Sequence, residues 1–182
     1  MNCDDIKSSQ DGLSVPETIR KKEINAQRIV EHIKTYTVRG IQENENDLIK
    51  PYPNTYTFTK NLAERLLDEN RGDLPMVIIR PSIVGAAYKD PMNGWVDNLA
   101  ALSGFIFVFG IGLIHDAPGK FSNAANFIPV DICSNAIIAV TVKHAKQNSL
   151  LICHAASPGE NPITHSEVVQ SIIDFSERNP FD

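Results

Sequence analysis

Tyr56 and Lys60 stand four residues apart in Tyr56-Thr57-Phe58-Thr59-Lys60, a spacing that puts both on one face of a helix about a turn apart. A phenol with an ordinary pKa of about 10 is a poor acid at neutral pH, and an ammonium beside it favours the phenolate. Such a pair is suited to protonating a carbonyl oxygen while its carbon receives hydride. The same residues also suit a plain amphipathic helix with a solvated lysine, so the surroundings decide between the two.

Those surroundings are ordered. Lys60-Asn61-Leu62-Ala63-Glu64-Arg65-Leu66-Leu67 continues with apolar residues at helical spacing and breaks at Asn70-Arg71-Gly72-Asp73, so the pair sits on a helix. Leu74-Pro75-Met76-Val77-Ile78-Ile79-Arg80 is then a continuous apolar run, as expected of a strand covered on both faces in a parallel sheet. A Pro81-Ser82-Ile83-Val84-Gly85 loop follows. Helix, turn, buried strand and loop in this order predict a doubly wound α/β sheet, whose ligands bind beyond the carboxyl ends of its strands. Further along, Ile132 to Val140 reads as a helix with Asp131 as its cap. Leu150 to Ala155 reads as another core strand in which His154 is satisfied, and Glu167 to Glu177 as a helix stopped near Pro180.

Composition narrows the classes. The chain has 182 residues, 42% hydrophobic and 21% charged, with a formal net charge of -5, which fits a packed soluble domain and lacks the clustered basic stripe of a nucleic-acid surface. Cys3, Cys133 and Cys153 form no Cys-x-x-Cys pair, and the five histidines show no ligand spacing, so neither disulfides nor a metal are expected. The opening residues are polar and acidic, unlike a secretory signal, and a reducing intracellular setting is the default. The apolar stretch Leu99 to Ile114, interrupted by Ser103, Gly104, Gly110 and Gly112, is short of the roughly 20 residues a spanning helix needs. It is expected to be a buried or interfacial segment.

Four ordered motifs, Asn54-Thr55-Tyr56-Thr57-Phe58-Thr59-Lys60, Arg80-Pro81-Ser82-Ile83-Val84-Gly85, Gly94-Trp95-Val96-Asp97-Asn98 and Phe127-Ile128-Pro129-Val130-Asp131, resemble the fatty acyl-CoA reductases, also called male-sterility-type reductases. This is a branch of the extended short-chain dehydrogenase/reductase superfamily. The resemblance runs from about Pro51 to Thr164 and takes in Asn161-Pro162-Ile163-Thr164. It implies a Rossmann-like fold and NADPH-dependent reduction of long-chain acyl-CoA to a primary alcohol. It assigns Tyr56 as proton donor and Lys60 as the residue that tunes the phenol and holds the ribose hydroxyls. Pro81, Ser82 and Ile83 would lie against the nicotinamide. It also implies an intracellular enzyme at the peroxisomal or endoplasmic reticulum membrane, with membrane association of the whole protein.

These folds hold the coenzyme diphosphate on a Gly-rich turn before the first helix, and no Gly-x-Gly-x-x-Gly occurs in the chain. The expected architecture is therefore a partial doubly wound parallel sheet whose first nucleotide-binding half is missing. Residues 1–50 are expected to be a polar, partly helical segment with a surface helix from Pro16 to Thr35, and residues 51–182 the central and carboxyl-side part of the reductase domain. Met1-Asn2-Cys3-Asp4 resembles the start of a variable segment after a strand ending in Ser/Thr-Ala-Tyr, which would put the carbonyl-binding hydroxyl upstream of Met1. Ser14, Thr18, Thr35 and Thr37 lack a preceding buried strand. Trp95 suits packing or the lining of an acyl channel. Two rivals stand beside this reading. One is another extended dehydrogenase or epimerase, against which Gly94 to Asn98 counts. The other is a non-catalytic fragment or interaction module.

Overall fold

The 16-residue helix α3, Thr55–Asn70, forms where the sequence provides a cap, a good helical run and a stop. The Asn54 side chain accepts the Thr57 backbone N–H at 2.8 Å, and Gly72 at φ +56° takes up the left-handed turn just beyond the end, a backbone region that glycine enters without steric cost. The structure is a computed structural model and describes residues 25–116, 119–156 and 162–180. Met1 to Asp4, Ser14, Thr18, Asn161 and residues 16–24 of the expected first helix lie outside the described residues.

The described residues fall into two compact units. The first comprises residues 25–78 with His144–Ile152, and the second Ile79–Lys143 with residues 153–180. In the first unit α1, Ala26–Lys34, packs on α3, and α2, Val38–Leu48, lies between them in sequence. Ala26, Ile49, Phe58 and Leu62 form its core, with Ile29, Val30, Ile33, Tyr52 and Leu66 against it. Thr37 was weighed above as a bare hydroxyl; its side chain accepts the Gly40 N–H at 3.1 Å and so caps α2, as threonine does at helix starts. Both Glu69 carboxylate oxygens accept the Ala26 N–H, at 2.9 and 3.0 Å. A negative charge thus sits on the positive end of α1, and buried Arg65 lies 3.8 Å from the same carboxylate.

In the second unit β2, Ile83–Gly85, pairs in parallel with β3, Phe127–Pro129, in the register Ile83↔Phe127, Val84↔Ile128 and Gly85↔Pro129. The reading of Pro81 to Gly85 as a loop is corrected here, because Ile83–Gly85 carries a short ladder. Helix α4, Ala101–Gly110, packs on β2 and on α6, His165–Arg178. At Gly110 α4 meets α6 at ordinary contact distance, since a Cβ there would lie 3.5 Å from Ser176 Oγ and 3.7 Å from Ile172 Cγ2. A capping box opens α6: Thr164 Oγ1 accepts the Glu167 N–H at 3.3 Å and Glu167 Oε2 accepts the Thr164 N–H at 2.7 Å, satisfying two end groups at once. The Thr164 amide, and the Thr164 hydroxyl donating to the same Oε2 at 2.7 Å, hold the Glu167 carboxyl below its usual range. Helix α5, Val130–His144, follows β3 directly, with Ile128, Cys133 and Ala155 forming a core against Ile79.

Strands β1, Met76–Pro81, and β4, Leu150–Ala155, form the other pair. Met76 N–H donates to Ser149 O at 3.2 Å and Ser82 N–H to Ala155 O at 2.9 Å. The advance is equal along both strands, so they run in the same direction. Two parallel strand pairs joined through helices make the α/β, partial Rossmann-like arrangement expected from the sequence. One expectation fails in degree. Met76 to Arg80 are half-buried and not covered on both faces, because β4 is the strand neighbour of β1 among the described residues. No residue of α4 is buried, so of the two alternatives for Leu99 to Ile114, buried or interfacial, the buried one does not hold. Among the described residues no helix is long and apolar enough to cross a membrane.

Candidate functional site

The cap at Asn54 sets Tyr56 in the first turn of α3. Phe58 and Leu62 turn inward, 6% and 9% exposed, and residues two positions away on a helix point nearly opposite. Tyr56 is accordingly 68% exposed. Lys60 follows one turn later, its Nζ 5.5 Å from the centroid of the Tyr56 ring, inside the range of a cation–π contact of about 6 Å. The structure therefore brings the phenol and the ammonium together on one outward face. Behind them Tyr52 donates from its hydroxyl to Asn61 Oδ1 and meets the Phe58 ring edge-on at 5.7 Å, which ties the segment before the helix to the helix itself.

Pro81, Ser82 and Ile83 are in the second unit, at the junction of β1 and β2. Pro81 is exposed and Ile83 is 49% exposed. Between them the Ser82 backbone is fixed through its N–H to Ala155 O at 2.9 Å, and the Ile83 N–H donates to Asn126 O at 3.2 Å. The Ser82 Oγ is buried and has no hydrogen-bond partner among the described residues. An orphaned buried hydroxyl costs free energy unless something satisfies it. His154 on β4 is in the same state, its Nε2 buried without a partner among the described residues, which corrects the expectation of a satisfied strand histidine.

Asp131 departs from its expected role. It lies inside the first turn of α5 rather than at the cap, and its carboxylate accepts the backbone N–H groups of Tyr88 at 2.9 Å, Lys89 at 2.9 Å and Asp90 at 3.2 Å. The Tyr88 amide above all, against the opposing cost of desolvation and with further help from the Asp90, Lys89 and Ile132 amides, lowers its pKa to about 2. Several N–H bonds to a charged carboxylate have this effect. Asp131 thus fastens a loop that sequence spacing gave no means of pairing with it. The loop closes on itself through Gly94 N–H to Ala87 O at 2.8 Å and Ala87 N–H to Trp95 O at 3.0 Å. Trp95 is 39% exposed, less covered than a packing anchor would be.

Two apolar cavities open in the second unit, about 610 and 590 Å³ in volume, within the size range of small-molecule sites. The first lies among Ile83, Leu102, Phe105, Phe121, Phe127 and Val169, with Lys120 and His165 also on its wall. The second is lined by Gly94, Val96, Leu99, Ile106, Phe107 and Phe175, among others. The part of these walls on α6, Val168, Val169 and Phe175, was not foreseen from the sequence, although the capping signature Thr164-x-x-Glu167 that orients α6 was there to be read. Among the described residues no group of three or more His, Cys, Asp or Glu side chains is placed to hold a metal ion.

Comparison with known proteins bears on the four motifs directly. The profile of the family described as male sterility protein, an NAD-binding family, matches residues 11–137. Fatty acyl-CoA reductase wat of Drosophila melanogaster is 39% identical over 83% of this chain and 29% of its own length. Fatty acyl-CoA reductase 2 of Mus musculus is 34% identical over 92% of this chain and 33% of its own. For fatty acyl-CoA reductase 1 of Xenopus laevis the identity is 29% over the same two shares, 92% and 33%. The chain thus spans about a third of the length of these curated relatives. The resemblance read from the motifs is borne out, and the chain belongs to the male sterility protein family.

Proposed function

We propose that this chain carries the proton-donating and nicotinamide-facing part of an NADPH-dependent reductase that converts long-chain fatty acyl-CoA to primary alcohol. The observation that carries the reading is the pairing of Tyr56 and Lys60 on one outward face of α3, 5.5 Å from ring centroid to Nζ. The family is NAD-binding, and the residues at the β1–β2 junction fit the nicotinamide end of such a coenzyme. The buried Ser82 Oγ, without a partner among the described residues, is a polar atom that a bound group can satisfy, and exposed Pro81 and Ile83 flank it with apolar surface. Lys60 would hold the ribose hydroxyls. For the diphosphate the sequence offers no Gly-rich turn.

When bound, the coenzyme supplies hydride to the carbonyl carbon. Tyr56 gives its hydroxyl proton to the carbonyl oxygen, and the Lys60 ammonium stabilises the phenolate left behind. With acyl-CoA the resulting thiohemiacetal would collapse, its hydroxyl proton passing to the departing CoA sulfur, to leave an aldehyde; a second hydride from a second equivalent of NADPH, and a second proton from Tyr56, reprotonated, would make the alcohol. By the same reading the whole protein works at an intracellular membrane, peroxisomal or endoplasmic reticulum, where a long-chain substrate partitions. Cell fractionation tests that location.

The test of the mechanism is Tyr56→Phe in the whole protein. Turnover of acyl-CoA falls by about 10²–10⁴-fold, the usual worth of a positioned acid, while NADPH affinity stays within about twofold of the parent. A Phe variant with full turnover shows that another group is the acid and overturns the assignment.

A further inference from the structure

Leu102, Phe127 and Val168 line both apolar cavities. They are therefore the wall between the two. Ile83 lines the first cavity and not the second, and Ile83 belongs to the segment assigned above to the nicotinamide. The first cavity is thus the one next to the reacting end, and the second lies beyond the shared wall. The polar groups agree with this order. Lys120 and His165 are on the first cavity alone, whereas the second has only serine hydroxyls, Ser103, Ser171 and Ser176, among aliphatic and aromatic side chains. A chain that is polar at its head and apolar along its tail matches that gradient.

Leu102 is the part of the wall that faces Gly85. It projects from α4 onto the backbone of β2, so close that a Cβ placed on Gly85 would lie 2.7 Å from Leu102 Cδ2. Such a distance is shorter than real Cβ contacts, and here the obstacle is the far end of a flexible side chain. A side chain at residue 85 therefore requires the Leu102 side chain to shift.

We infer that Leu102 is a chain-length determinant: an unbranched acyl chain enters by the first cavity, and its tail reaches the second only past the Leu102 side chain. The inference rests on the reductase reading above. Short acyl chains end within the first cavity, and longer ones depend on how far Leu102 gives way.

The experiment uses the whole protein with saturated acyl-CoAs from decanoyl to eicosanoyl, and reads the ratio of kcat/KM for the longest substrate to that for the shortest. One methylene in an apolar pocket is worth about 10–200-fold in discrimination, so Leu102→Phe lowers the ratio by at least about tenfold and Leu102→Ala raises it. Gly85→Ala, which moves the leucine without replacing it, shifts the ratio as well and serves if Leu102→Phe fails to fold. A second readout needs no turnover: the affinity of saturated fatty acids of rising length, measured by displacement of a fluorescent fatty acid. If the parent protein reduces no acyl-CoA, the reductase reading fails, and the displacement series alone judges the wall. Length profiles that are the same in the parent, Leu102→Ala and Gly85→Ala, by turnover and by displacement, overturn the inference.

Discussion

The carboxylate of Asp131 is the clearest case of one residue setting the shape of a segment far from it in sequence, since its three amide partners lie 41 to 43 positions earlier. Its pKa of about 2 is below the ordinary unfolded value of about 3.9. The group therefore contributes stability that is fully present above about pH 4 and is lost as pH falls through about 2. Asp131→Asn removes the charge but keeps the shape. Amide exchange at Tyr88, Lys89 and Asp90 should then quicken by more than about tenfold, because charge-assisted bonds to these groups are lost. Exchange by NMR measures this, and unchanged rates at the three amides count against the fastening role. Asp131 also shows what a sequence hides at this scale. An acidic residue before a helical pattern reads as a cap, and nothing in its neighbours points to Tyr88 or Asp90. Tyr56 and Lys60 were legible for the opposite reason: both lie on one element, and helical periodicity alone brings them together. The orphaned atoms of Ser82 and His154 depend on what lies across the fold, so no local pattern could announce them.

At the scale of elements, long and strongly patterned segments were readable. Helices α3, α5 and α6 and strands β1 and β4 lie where apolar spacing and flanking Gly, Asn or Pro put them. Strands β2 and β3 were not, because three residues each, one of them Pro129, are too few to show a period. Helix α2 escaped notice too, since no residue on it is buried and Val38, Ile41 and Leu48 are too few among its polar residues to announce a helix. What α3 owes to its pattern can be measured. Phe58 is 6% exposed, belongs to the core of its unit and meets Tyr52 edge-on. Truncating such a ring costs the transfer free energy and leaves a cavity, about 3–5 kcal/mol in all. Phe58→Ala should lower the stability of the first unit by that amount in urea unfolding, and the helix that presents Tyr56 and Lys60 should lose order with it. A loss under about 1 kcal/mol would mean that α3 is held chiefly by its own cap and propensity, and that α1 contributes little.

For the molecule as a whole the decisive comparison is between what the 182 residues present to solvent and what they offer a coenzyme. Leu74, Tyr88, Leu99, Leu113, Val142 and Phe175 are each 61–72% exposed, and β1 is half-buried with β4 as its strand neighbour among the described residues. A half-covered apolar strand and many exposed large side chains favour association and the binding of apolar dyes. The coenzyme, in turn, needs backbone N–H groups gathered around its diphosphate. The sequence supplies no Gly-rich turn for that purpose. The 182-residue chain by itself should therefore bind NADPH more weakly than about 100 μM, a loss of at least about 2.7 kcal/mol against a micromolar site, and should bind an anilinonaphthalene dye at the same protein concentration. Calorimetric titration and dye fluorescence test the two halves separately. Micromolar coenzyme affinity would show that this chain gathers a diphosphate cradle from residues other than glycine. If the dye also failed to bind, the exposed side chains would have to be covered by association of the chain with itself, which sedimentation would reveal.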